Sequence, residues 1–495
     1  MPIPSPMNVL FLASEADPLI KVGGLGDVAG SLPLALRALR PLTNGNPAEL
    51  DVRLVIPFHP SIKAGQNSPR QIAEYPVQST QGAIIAKVFS IQLDGLPVYL
   101  LAGTPIDQES AVYSTNLEAD GYKYVFFSQA ALELARQLNW KPHILHANDW
   151  HTAPAVYSLA LKHASDPFWG QTASLLTVHN LPYLGAMTAA ALDAFGLPAV
   201  KSKDLPPWAR HLAMPLGLLY ADTIVAVSPG YAKEILTDEF GSGLNLFLRA
   251  HQNKIRGILN GLDTVRWNPQ ADNELAATFS SDNLLVRSVN KSYLQQELCL
   301  EVNPRIPLLA MVTRMDPQKG VDLSVAALRA LLKSDHRPPQ PLQAVFLGTG
   351  NPVLESLIRQ LEHDFPNQVR AHVMYSELFS RYIYAGADIL LMPSRYEPCG
   401  LSQMIAMHYG CVPIARATGG LSDTIRDALS SNQGTGFLFK DTDTDELAET
   451  ILRAISVYTH DVLAWHQIQI NGMQQDFSWV RSAQEYYKQY TLLSG

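Results

Sequence analysis

Residues 124–147 read YVFFSQAALELARQLNWKPHILHA, and this stretch contains both kinds of element that alternate along the chain. Tyr124–Leu138 has the pattern of a helix, and the short apolar run Ile144–Ala147 follows it. A nearly continuous apolar run is typical of a parallel strand that is covered on both faces. Helix and strand in this order predict an α/β fold.

The same alternation occurs in two series, and each predicts one doubly wound, Rossmann-like sheet. The predicted strands of the first series are Val9–Ala13, Val52–Pro57, Val98–Ala102, Ile144–Ala147, Ser174–Val178 and Thr223–Val227. Those of the second are Leu308–Val312, Ala344–Leu347, His372–Met374, Ile389–Met392, Val412–Ala415 and Gly436–Phe439.

The boundary between the two domains is predicted near GILNGLDTVRWNPQAD, at 257–272, where glycine, asparagine and proline cluster. We therefore expect an N-terminal domain over 1–265 and a C-terminal domain over 266–495. The last helix is a candidate to pack back on the N-terminal domain. Two such sheets are expected to face a deep cleft, since ligands of open α/β sheets bind outside the carboxyl ends of the strands.

Composition excludes several classes of protein. With 47% hydrophobic and 17% charged residues, the 495-residue chain is neither disordered nor fibrous. A net charge of −8 argues against a nucleic-acid partner, and three cysteines cannot build a disulfide framework. The start lacks the basic region of a signal peptide, and no apolar run reaches the roughly 18 residues that span a membrane. A cytoplasmic protein with no membrane partner is expected.

A glycine loop, KVGGLGDVA at 21–29, follows the first strand. Its glycines allow close approach of a ligand, and N–H groups at a helix start bind phosphate. The loop is therefore interpreted as an anion site that carries Lys21, with a tight turn as the alternative. A dinucleotide fingerprint, and with it an NAD-dependent oxidoreductase, is a weak match because SEADPLIK separates the loop from the strand.

Arg314 and Lys319 follow the first strand of the second series. A guanidinium and an ammonium that converge on a diphosphate would neutralise the charge that develops on a leaving group. Their position at the carboxyl end of a buried strand favours this clamp over solvated surface charge. A clamp of two cations needs no metal.

The acidic run DTDTDE at Asp441–Glu446 resembles a metal motif, but it directly precedes a helix. It does not fit a calcium loop, because Glu446 stands where that loop has glycine. Capping of the following helix is therefore the preferred interpretation. No metal is predicted.

Glu397 lies in the loop SRYEPCG after the strand Ile389–Met392. A carboxylate at this place is suited to hold sugar hydroxyls or to offset an oxocarbenium-like charge, and capping of the next helix is the alternative. Cys399 in the same loop has no relay for nucleophilic catalysis and is expected to line the site. In RATGGLSDT, the N–H groups of Thr418–Leu421 are expected to offer a second anion site.

These motifs together resemble those of the bacterial glycogen synthases and plant starch synthases, which are ADP-glucose-dependent glucosyltransferases. The matching stretches occur in the order of the family and extend from about Asn8 to about Phe439. They are KVGGLGDV, LHANDWHTA, TVHNLPYLG, GILNGLDTVRWNP, TRMDPQKGVDL, LGTGNP, YAGADILLMPSRYEPCGL, RATGGLSDT and GTGFLF.

The resemblance implies a GT-B fold and transfer of glucose from ADP-glucose to the nonreducing end of an α-1,4-glucan, with retention at the anomeric carbon and no metal or other cofactor. The implied catalytic positions are Glu397, His179, Arg314, Lys319 and Asp149. The implied ADP-glucose-binding positions are Lys21, Gly23, Gly24, Asn260, Arg314, Lys319, Tyr375 (the adenine-stacking position), Cys399, Gly400, Leu401, Thr418, Gly419 and Gly420. Glu15 matches a further acidic active-site position.

The sequence also departs from the family pattern. Leu184 stands where many members have glutamine, and Asn148 replaces a common histidine. Ile405 stands where related transferases have a second glutamate, which favours the starch-synthase group over the sucrose-synthase group. The alternatives are transfer from UDP-glucose or to another acceptor, and a glucan-binding homologue without activity. The sequence leaves the oligomeric state open.

Overall fold

The computed structural model describes residues 4–43, 46–47, 49–62, 68–333, 342–429 and 432–494. It divides into two compact units, one of Met1–Gly261 with Trp479–Gly495 and one of Leu262–Ser478. The sequence analysis placed the boundary after residue 265 and named the last helix as a candidate to pack back on the N-terminal domain. No helix in the described ranges is long and apolar enough to cross a membrane.

The first unit is built on a mixed sheet. Its strands are β1 (Met7–Leu12), β2 (Leu42–Thr43), β3 (Asn46–Pro47), β4 (Leu50–Pro57), β5 (Arg70–Val77), β6 (Ile84–Leu93), β7 (Leu96–Ala102), β8 (Ile144–Asn148), β9 (Ala173–Val178), β10 (Thr223–Ala226) and β11 (Ile255–Gly257). Over the described residues, nine of them form one sheet in the order β11-β10-β9-β8-β1-β4-β7-β6-β5, and β2 pairs with β3 alone. In the described part of this sheet, β6 runs antiparallel to both of its neighbours, β5 and β7, and the other pairs are parallel.

The strands β5 and β6 were missed by the sequence analysis, and the reason is their burial. Buried and exposed side chains alternate along much of both strands, so neither gives a continuous apolar run. The short strand β11 was also missed. The parallel strands β1, β4 and β8 are buried along nearly their whole length, and they were predicted to within two residues at each end.

Helices connect these strands. They are α1 (Gly24–Ala38), α2 (Thr104–Asp107), α3 (Leu117–Gln137), α4 (Asp149–His163), α5 (Ala189–Ala194), α6 (Ala213–Tyr220), α7 (Pro229–Glu234) and α8 (Asn245–Ala250), with 3₁₀ turns at Pro207–Ala209 and Gln252–Lys254. The helical pattern of the opening stretch corresponds to most of α3, whose buried residues include Tyr124, Phe126 and Phe127.

The second unit has a parallel sheet. Its strands are β12 (Leu308–Val312), β13 (Gln343–Leu347), β14 (Val369–His372), β15 (Ile389–Met392), β16 (Val412–Arg416) and β17 (Phe437–Phe439). In the described part of the chain their order is β14-β13-β12-β15-β16-β17, and every pair is parallel. The strand predicted at His372–Met374 lies earlier, at β14.

The helices of the second unit cover this sheet. They are α9 (Arg287–Glu297), α10 (Val321–Lys333), α11 (Pro352–Asp364), α12 (Glu377–Gly386), α13 (Ser402–His408), α14 (Gly419–Thr424), α15 (Thr444–His460) and α16 (Val462–Met473), with 3₁₀ turns at Ser281–Val286 and Pro317–Lys319. Apolar residues of α10, α11 and α15 pack with the strands in one core.

The last helix, α17 (Trp479–Ser494), belongs to the first unit. It packs against α1 and contributes Trp479, Tyr486 and Tyr490 to the core of that unit. The Tyr490 hydroxyl lies 2.6 Å from His146 Nδ1 in β8. This hydrogen bond ties the C-terminal helix to the central strands.

Candidate functional site

The strand order of the second unit identifies where a ligand of that unit is expected. From β12 the chain builds β13 and β14 on one side, and β15, β16 and β17 lie on the other, so β12 and β15 flank a topological switch point. In open α/β sheets, ligands bind outside the carboxyl ends of strands at such a point. A cavity lies there. Its lining residues are Met311, Val312, Thr313, Lys319, Leu391, Met392, Ser394, Glu397, Gly400, Leu401 and Ser402.

Lys319 and Glu397 are paired in this cavity. The Lys319 ammonium donates to both carboxylate oxygens of Glu397, at 2.9 Å and 2.7 Å. The Ser394 hydroxyl donates to Glu397 Oε2 at 3.0 Å. Glu397 is buried, with 6% of its side chain exposed. Its carboxylate therefore does not cap α13, whose N-cap residue, Leu401, has no side-chain cap.

The two segments that carry this pair are held together by backbone contacts. Arg395 N–H donates to Gln318 O at 2.7 Å, and Gln318 Nε2 donates to Tyr396 O at 3.0 Å. Gly320 has a φ of 68°, and a Cβ there would lie 2.1 Å from Pro393 O. Only glycine allows the turn after Lys319 to pass so close to the other loop, so the fold itself brings the two charges together.

Arg314, the second member of the predicted clamp, is exposed. Among the described residues its guanidinium has no protein partner. Since a guanidinium has five donors in a planar fork, Arg314 is free to bind an anion bidentately. The structure therefore presents one unpaired cation and one that is paired with a carboxylate.

In the glycine loop that the sequence suggested as an anion site, three of the four N–H groups from Thr418 to Leu421 have partners inside the protein. The N–H groups of Thr418, Gly420 and Leu421 donate to the carbonyl oxygens of Arg416, Glu397 and Thr418, at 2.9 Å, 3.0 Å and 3.0 Å. These three amides are used inside the protein. The reason for Gly420 is steric, because a Cβ there would lie 2.2 Å from Cys399 O.

The remaining positions predicted in the second unit differ in exposure. Cys399 is 5% exposed, and it is not one of the lining residues found for the cavity in the described part of the chain. Gly400, with a φ of 73°, and Leu401 do line it. Tyr375 is 77% exposed just before α12, so its ring is open to stacking by a planar group.

In the first unit, the switch point lies between β1 and β8. Glu15 follows β1 and is 1% exposed. Its carboxylate accepts hydrogen bonds from the N–H groups of Val22 and Gly23 and, at 2.9 Å, from the Tyr113 hydroxyl. Burial raises the pKa of the Glu15 carboxyl, although these hydrogen bonds oppose the shift. The Glu15 carboxylate thus binds backbone N–H groups of the glycine loop, which the sequence analysis interpreted as an anion site.

Lys21 is partly exposed at the same loop. Its ammonium donates to Asp27 Oδ1 at 2.6 Å and lies 3.9 Å from Asp17 Oδ2. A Cβ at Gly26 would lie 3.0 Å from Lys21 Cγ and 3.3 Å from Glu15 Oε2. Gly26 therefore allows these side chains to pack closely beneath the loop, whereas a Cβ at Gly24 would meet no atom within 4 Å and one at Gly23 would make only an ordinary contact, 3.4 Å from Glu15 Oε1.

Asp149 begins α4 with a φ of 55°, a left-handed conformation that is uncommon for aspartate. Its Oδ1 accepts hydrogen bonds from the N–H groups of His179 and Asn180, at 2.7 Å and 3.3 Å, so it joins the ends of β8 and β9. Burial raises the pKa of Asp149 to about 7, and the backbone donors only partly offset this effect. Asp149 is therefore a carboxyl group that titrates at about pH 7, and it lies between the carboxyl ends of β8 and β9.

This carboxyl predicts a pH dependence of stability. Its pKa is raised from the ordinary value of 3.8 to about 7, so from about pH 4 to pH 7 the folded state holds a proton that the unfolded chain has released. Stability therefore falls as the pH rises through this window, by at most roughly 4 kcal/mol. Asp149→Asn removes the titration. Its free energy of unfolding relative to the wild type should rise between about pH 4.5 and pH 7.5 in urea titrations. If the free energies of unfolding of the variant and the wild type differ by the same amount at both pH values, Asp149 has an ordinary pKa in the folded protein.

His179, at the carboxyl end of β9, is half-buried. Burial lowers the pKa of His179 to about 3, so the ring is neutral at physiological pH. Its Nε2 lies 2.9 Å from Asn148 Oδ1. Asn260, just after β11, is 6% exposed, and among the described residues its Oδ1 has no hydrogen-bond partner. Such a buried acceptor is suited to a hydroxyl of a ligand.

Comparisons with known proteins agree with this geometry. Residues 8–250 match the family model described as starch synthase catalytic domain, and residues 300–461 match glycosyl transferases group 1. The glycogen synthase of Moorella thermoacetica is 37% identical over 98% of this chain and 96% of its own length, and that of Desulforudis audaxviator is 34% identical with the same coverage. The chain belongs to the glycogen and starch synthase family.

Solved structures support the same assignment. The catalytic domain of starch synthase IV from Arabidopsis thaliana, bound to ADP and acarbose, superimposes with a TM-score of 0.87 and 32% identity over 99% of this chain and all of that one. A sucrose-phosphate synthase from Thermosynechococcus elongatus has a TM-score of 0.61 at 19% identity over 98% of this chain and 99% of its own, which shows the fold alone. The two α/β domains, each with a core of parallel strands, are those of the GT-B fold. This member of the glycogen and starch synthase family is a glucosyltransferase that acts on a nucleotide sugar and a glucan.

The acidic run of this family member caps a helix, as predicted. Asp443 is the N-cap residue of α15 and accepts from the N–H groups of Asp445 and Glu446, both at 2.9 Å. Glu446 accepts from the N–H groups of Lys440 and Asp441. The capping interpretation is confirmed, and the absence of a metal from the reaction remains a prediction.

Two polar groups of the first unit were missed by the sequence analysis as functional candidates. Among the described residues, Asn180 Oδ1 is sealed from solvent without a hydrogen-bond partner, directly beside His179. Asn148 was noted only as a departure from the family pattern, but its amide contacts the ring of His179. The signal that could have found both is their position at strand ends beside Asp149 and His179.

Proposed function

We propose that this glucosyltransferase transfers glucose from ADP-glucose to the nonreducing 4-hydroxyl of an α-1,4-glucan, with retention at the anomeric carbon. The observation that carries the proposal is the likeness, over 99% of the chain, to a starch synthase catalytic domain bound to ADP and acarbose. ADP is the product that remains when ADP-glucose has given up its glucose, and acarbose is a mimic of an α-glucan.

The second unit is assigned to the donor nucleotide. Arg314 is exposed and has no partner among the residues that the structure describes, and Lys319 lines the cavity at the switch point. Together they would neutralise the diphosphate as it departs. The exposed ring of Tyr375 would stack on the adenine. A donor that carries two phosphates fits two cations, and the Lys319 ammonium, which donates two hydrogen bonds to Glu397, has a third donor for a phosphate oxygen.

Glu397 is assigned to the sugar. The bond from the anomeric carbon to the diphosphate oxygen breaks before the new bond is complete, so positive charge develops on the ring. A carboxylate that is already buried and held by Lys319 and Ser394 can oppose that charge without reorganising. Both of its oxygens accept hydrogen bonds, which disfavours a role as a covalent nucleophile.

Retention without a covalent intermediate implies attack on the same face that the diphosphate leaves. The acceptor 4-oxygen bonds to the anomeric carbon while the carbon–diphosphate bond breaks. The proton of the 4-hydroxyl passes to an oxygen of the departing diphosphate. No protein base is then needed, and the neutral His179, with Asp149 and Asn260, is assigned to binding the hydroxyls of the glucose.

A donor competition tests this function. Purified protein is incubated with glycogen and an equimolar mixture of ADP-glucose and UDP-glucose, each labelled with a different isotope, and the label in precipitated glucan is counted. Incorporation mainly from ADP-glucose is expected. Preference for UDP-glucose would overturn the donor. If glycogen binds but neither label is incorporated, the chain is a glucan-binding homologue without activity.

A second prediction concerns divalent ions. Since two side-chain cations are assigned to the diphosphate and the run Asp441–Glu446 caps a helix, glucan synthesis should persist in excess EDTA at constant ionic strength. The initial rate is expected to stay within about twofold of the untreated rate, apart from screening by salt. Loss of activity that magnesium or manganese restores would show that a metal takes part.

A further inference from the structure

The amide of Asn148 joins two strand ends of the first unit. Asn148 is the last residue of β8 and is fully buried. Its Nδ2 donates to Leu12 O, at the end of β1, at 2.8 Å. Its Oδ1 lies 2.9 Å from His179 Nε2. Thr152 holds the backbone of the same residue, since its Oγ1 donates to Asn148 O at 2.8 Å.

The partner of Nδ2 determines which way the amide faces. A backbone carbonyl oxygen is only an acceptor, so the group that faces Leu12 O must be the NH₂ of the amide. The group that faces His179 is then the amide oxygen, which is also only an acceptor. His179 must therefore donate from Nε2, and a neutral imidazole with its proton on Nε2 has a lone pair on Nδ1.

We propose that Asn148 is a positioning residue that holds His179 in the Nε2–H tautomer, so that Nδ1 accepts a hydrogen bond from a hydroxyl of the donor glucose. The inference rests on the proposed function for the ligand, but the tautomer itself does not.

Three features of His179 support this role for Nδ1. The ring is neutral, so both tautomers are accessible unless a partner selects one. Nδ1 has no protein partner within the described residues. The backbone N–H of His179 is bound to Asp149 Oδ1 at 2.7 Å, so the residue is held at both its backbone and its ring. In the other tautomer, Nδ1 would be a donor, and the Nε2 lone pair would face the oxygen of Asn148.

The tautomer can be measured without any turnover. In protein labelled with ¹⁵N-histidine, long-range ¹H–¹⁵N correlation spectra distinguish a protonated ring nitrogen from an unprotonated one, and His179→Gln assigns the signals. In the wild type, Nε2 of His179 should be protonated and Nδ1 unprotonated. A wild-type His179 ring with its proton on Nδ1 overturns the proposal. This measurement is made on the wild-type protein, so it does not depend on whether a variant of Asn148 folds.

The role in the reaction is tested by a double-mutant cycle. Asn148→Leu removes the acceptor while keeping a similar side-chain volume, and it should lower kcat/KM for ADP-glucose by about 10- to 100-fold and mix the tautomers. In a His179→Ala background, the same change should cost less than about threefold, because the partner it positions is gone. Equal losses in both backgrounds would mean that Asn148 acts through general structure and would overturn the proposal.

Thr152→Val is the matched control. It removes the hydroxyl that contacts the backbone of Asn148 but leaves the amide in place, so the tautomer of His179 should be unchanged. A shifted tautomer in this variant would assign the effect to the strand end and contradict a specific role of the amide. If neither the wild type nor any variant forms glucan from ADP-glucose while the wild-type tautomer is Nε2–H, the proposed function fails and the structural part of the inference stands.

Discussion

Glu397→Gln is expected to reduce kcat at least about a hundredfold, because electrostatic contributions of this kind are typically worth roughly 3–4 kcal/mol in the transition state. The substitution keeps the shape of the side chain and removes its charge. The donor KM should change far less, since the glucose of the bound donor carries no comparable charge before the bond breaks. Steady-state kinetics with ADP-glucose and glycogen measure both quantities.

The ion pair with Lys319 adds a second readout to this experiment. In the wild type, the Lys319 ammonium is bound by both oxygens of Glu397. The glutamine variant releases this cation, so the affinity for ADP should be equal to or higher than that of the wild type in a calorimetric titration. A variant whose fold is damaged would instead lose both ADP binding and turnover.

Ser394→Ala is the matched control for Glu397→Gln. It removes the hydrogen bond to Glu397 Oε2, which is 3.0 Å long, and leaves the charge and the lysine contact in place. This hydrogen bond is present both before and during the reaction, so its loss should lower kcat less than about tenfold, much less than the loss of the charge. A melting curve confirms that each variant is folded. A folded Glu397→Gln variant with kcat within about threefold of the wild type would remove the carboxylate from the chemistry.

The strands were predictable from the sequence where both of their faces are buried. Strands such as β12 and β15 are covered on both faces, so their sequences are nearly all apolar and their ends stand out. The pair β5 and β6 is different, because exposed side chains interrupt the apolar ones along both strands. The return of α17 to the first unit was predicted only as a candidate arrangement, since an amphipathic helix shows that it has a buried face but not what covers it.

The residues of the site were predictable from their motifs, but their contacts were not. Lys319 and Glu397 are 78 positions apart, and only the neighbouring places of β12 and β15 in the sheet bring them together. Glu15 shows the opposite case. Its loop was interpreted as an anion site, but the buried carboxylate itself binds the N–H group of Gly23. The sequence shows which backbone N–H groups can bind an anion. It does not show whether that anion is a ligand or, as with Glu15, a carboxylate of the protein itself.

Lys319→Ala is expected to lower kcat by roughly a hundredfold or more, and by a larger factor than it raises the donor KM. The lysine neutralises charge that grows as the diphosphate leaves, so its contribution is greatest in the transition state. Lys319→Arg should recover only part of the activity, because a planar fork does not replace a compact ammonium. Lys333→Ala, at the far end of α10, is the control for loss of one positive charge, and it should leave kcat unchanged. Near-wild-type kcat in Lys319→Ala would remove the residue from the clamp.

The ion pair makes the double variant more informative than either single one. Lys319→Ala leaves Glu397 buried with a charge that no cation offsets, and breaking a buried pair in this way is strongly destabilising. Adding Glu397→Gln removes that charge, so Lys319→Ala/Glu397→Gln should melt at a higher temperature than Lys319→Ala alone. Its kcat should not recover, because both charges that act on the transition state are gone, and residues that act as a unit show losses far below additivity. Stability that rises while turnover stays low would separate the structural role of the pair from its chemical one. If turnover instead returned with stability, the loss in Lys319→Ala would have been misfolding, and neither charge could be assigned to the reaction.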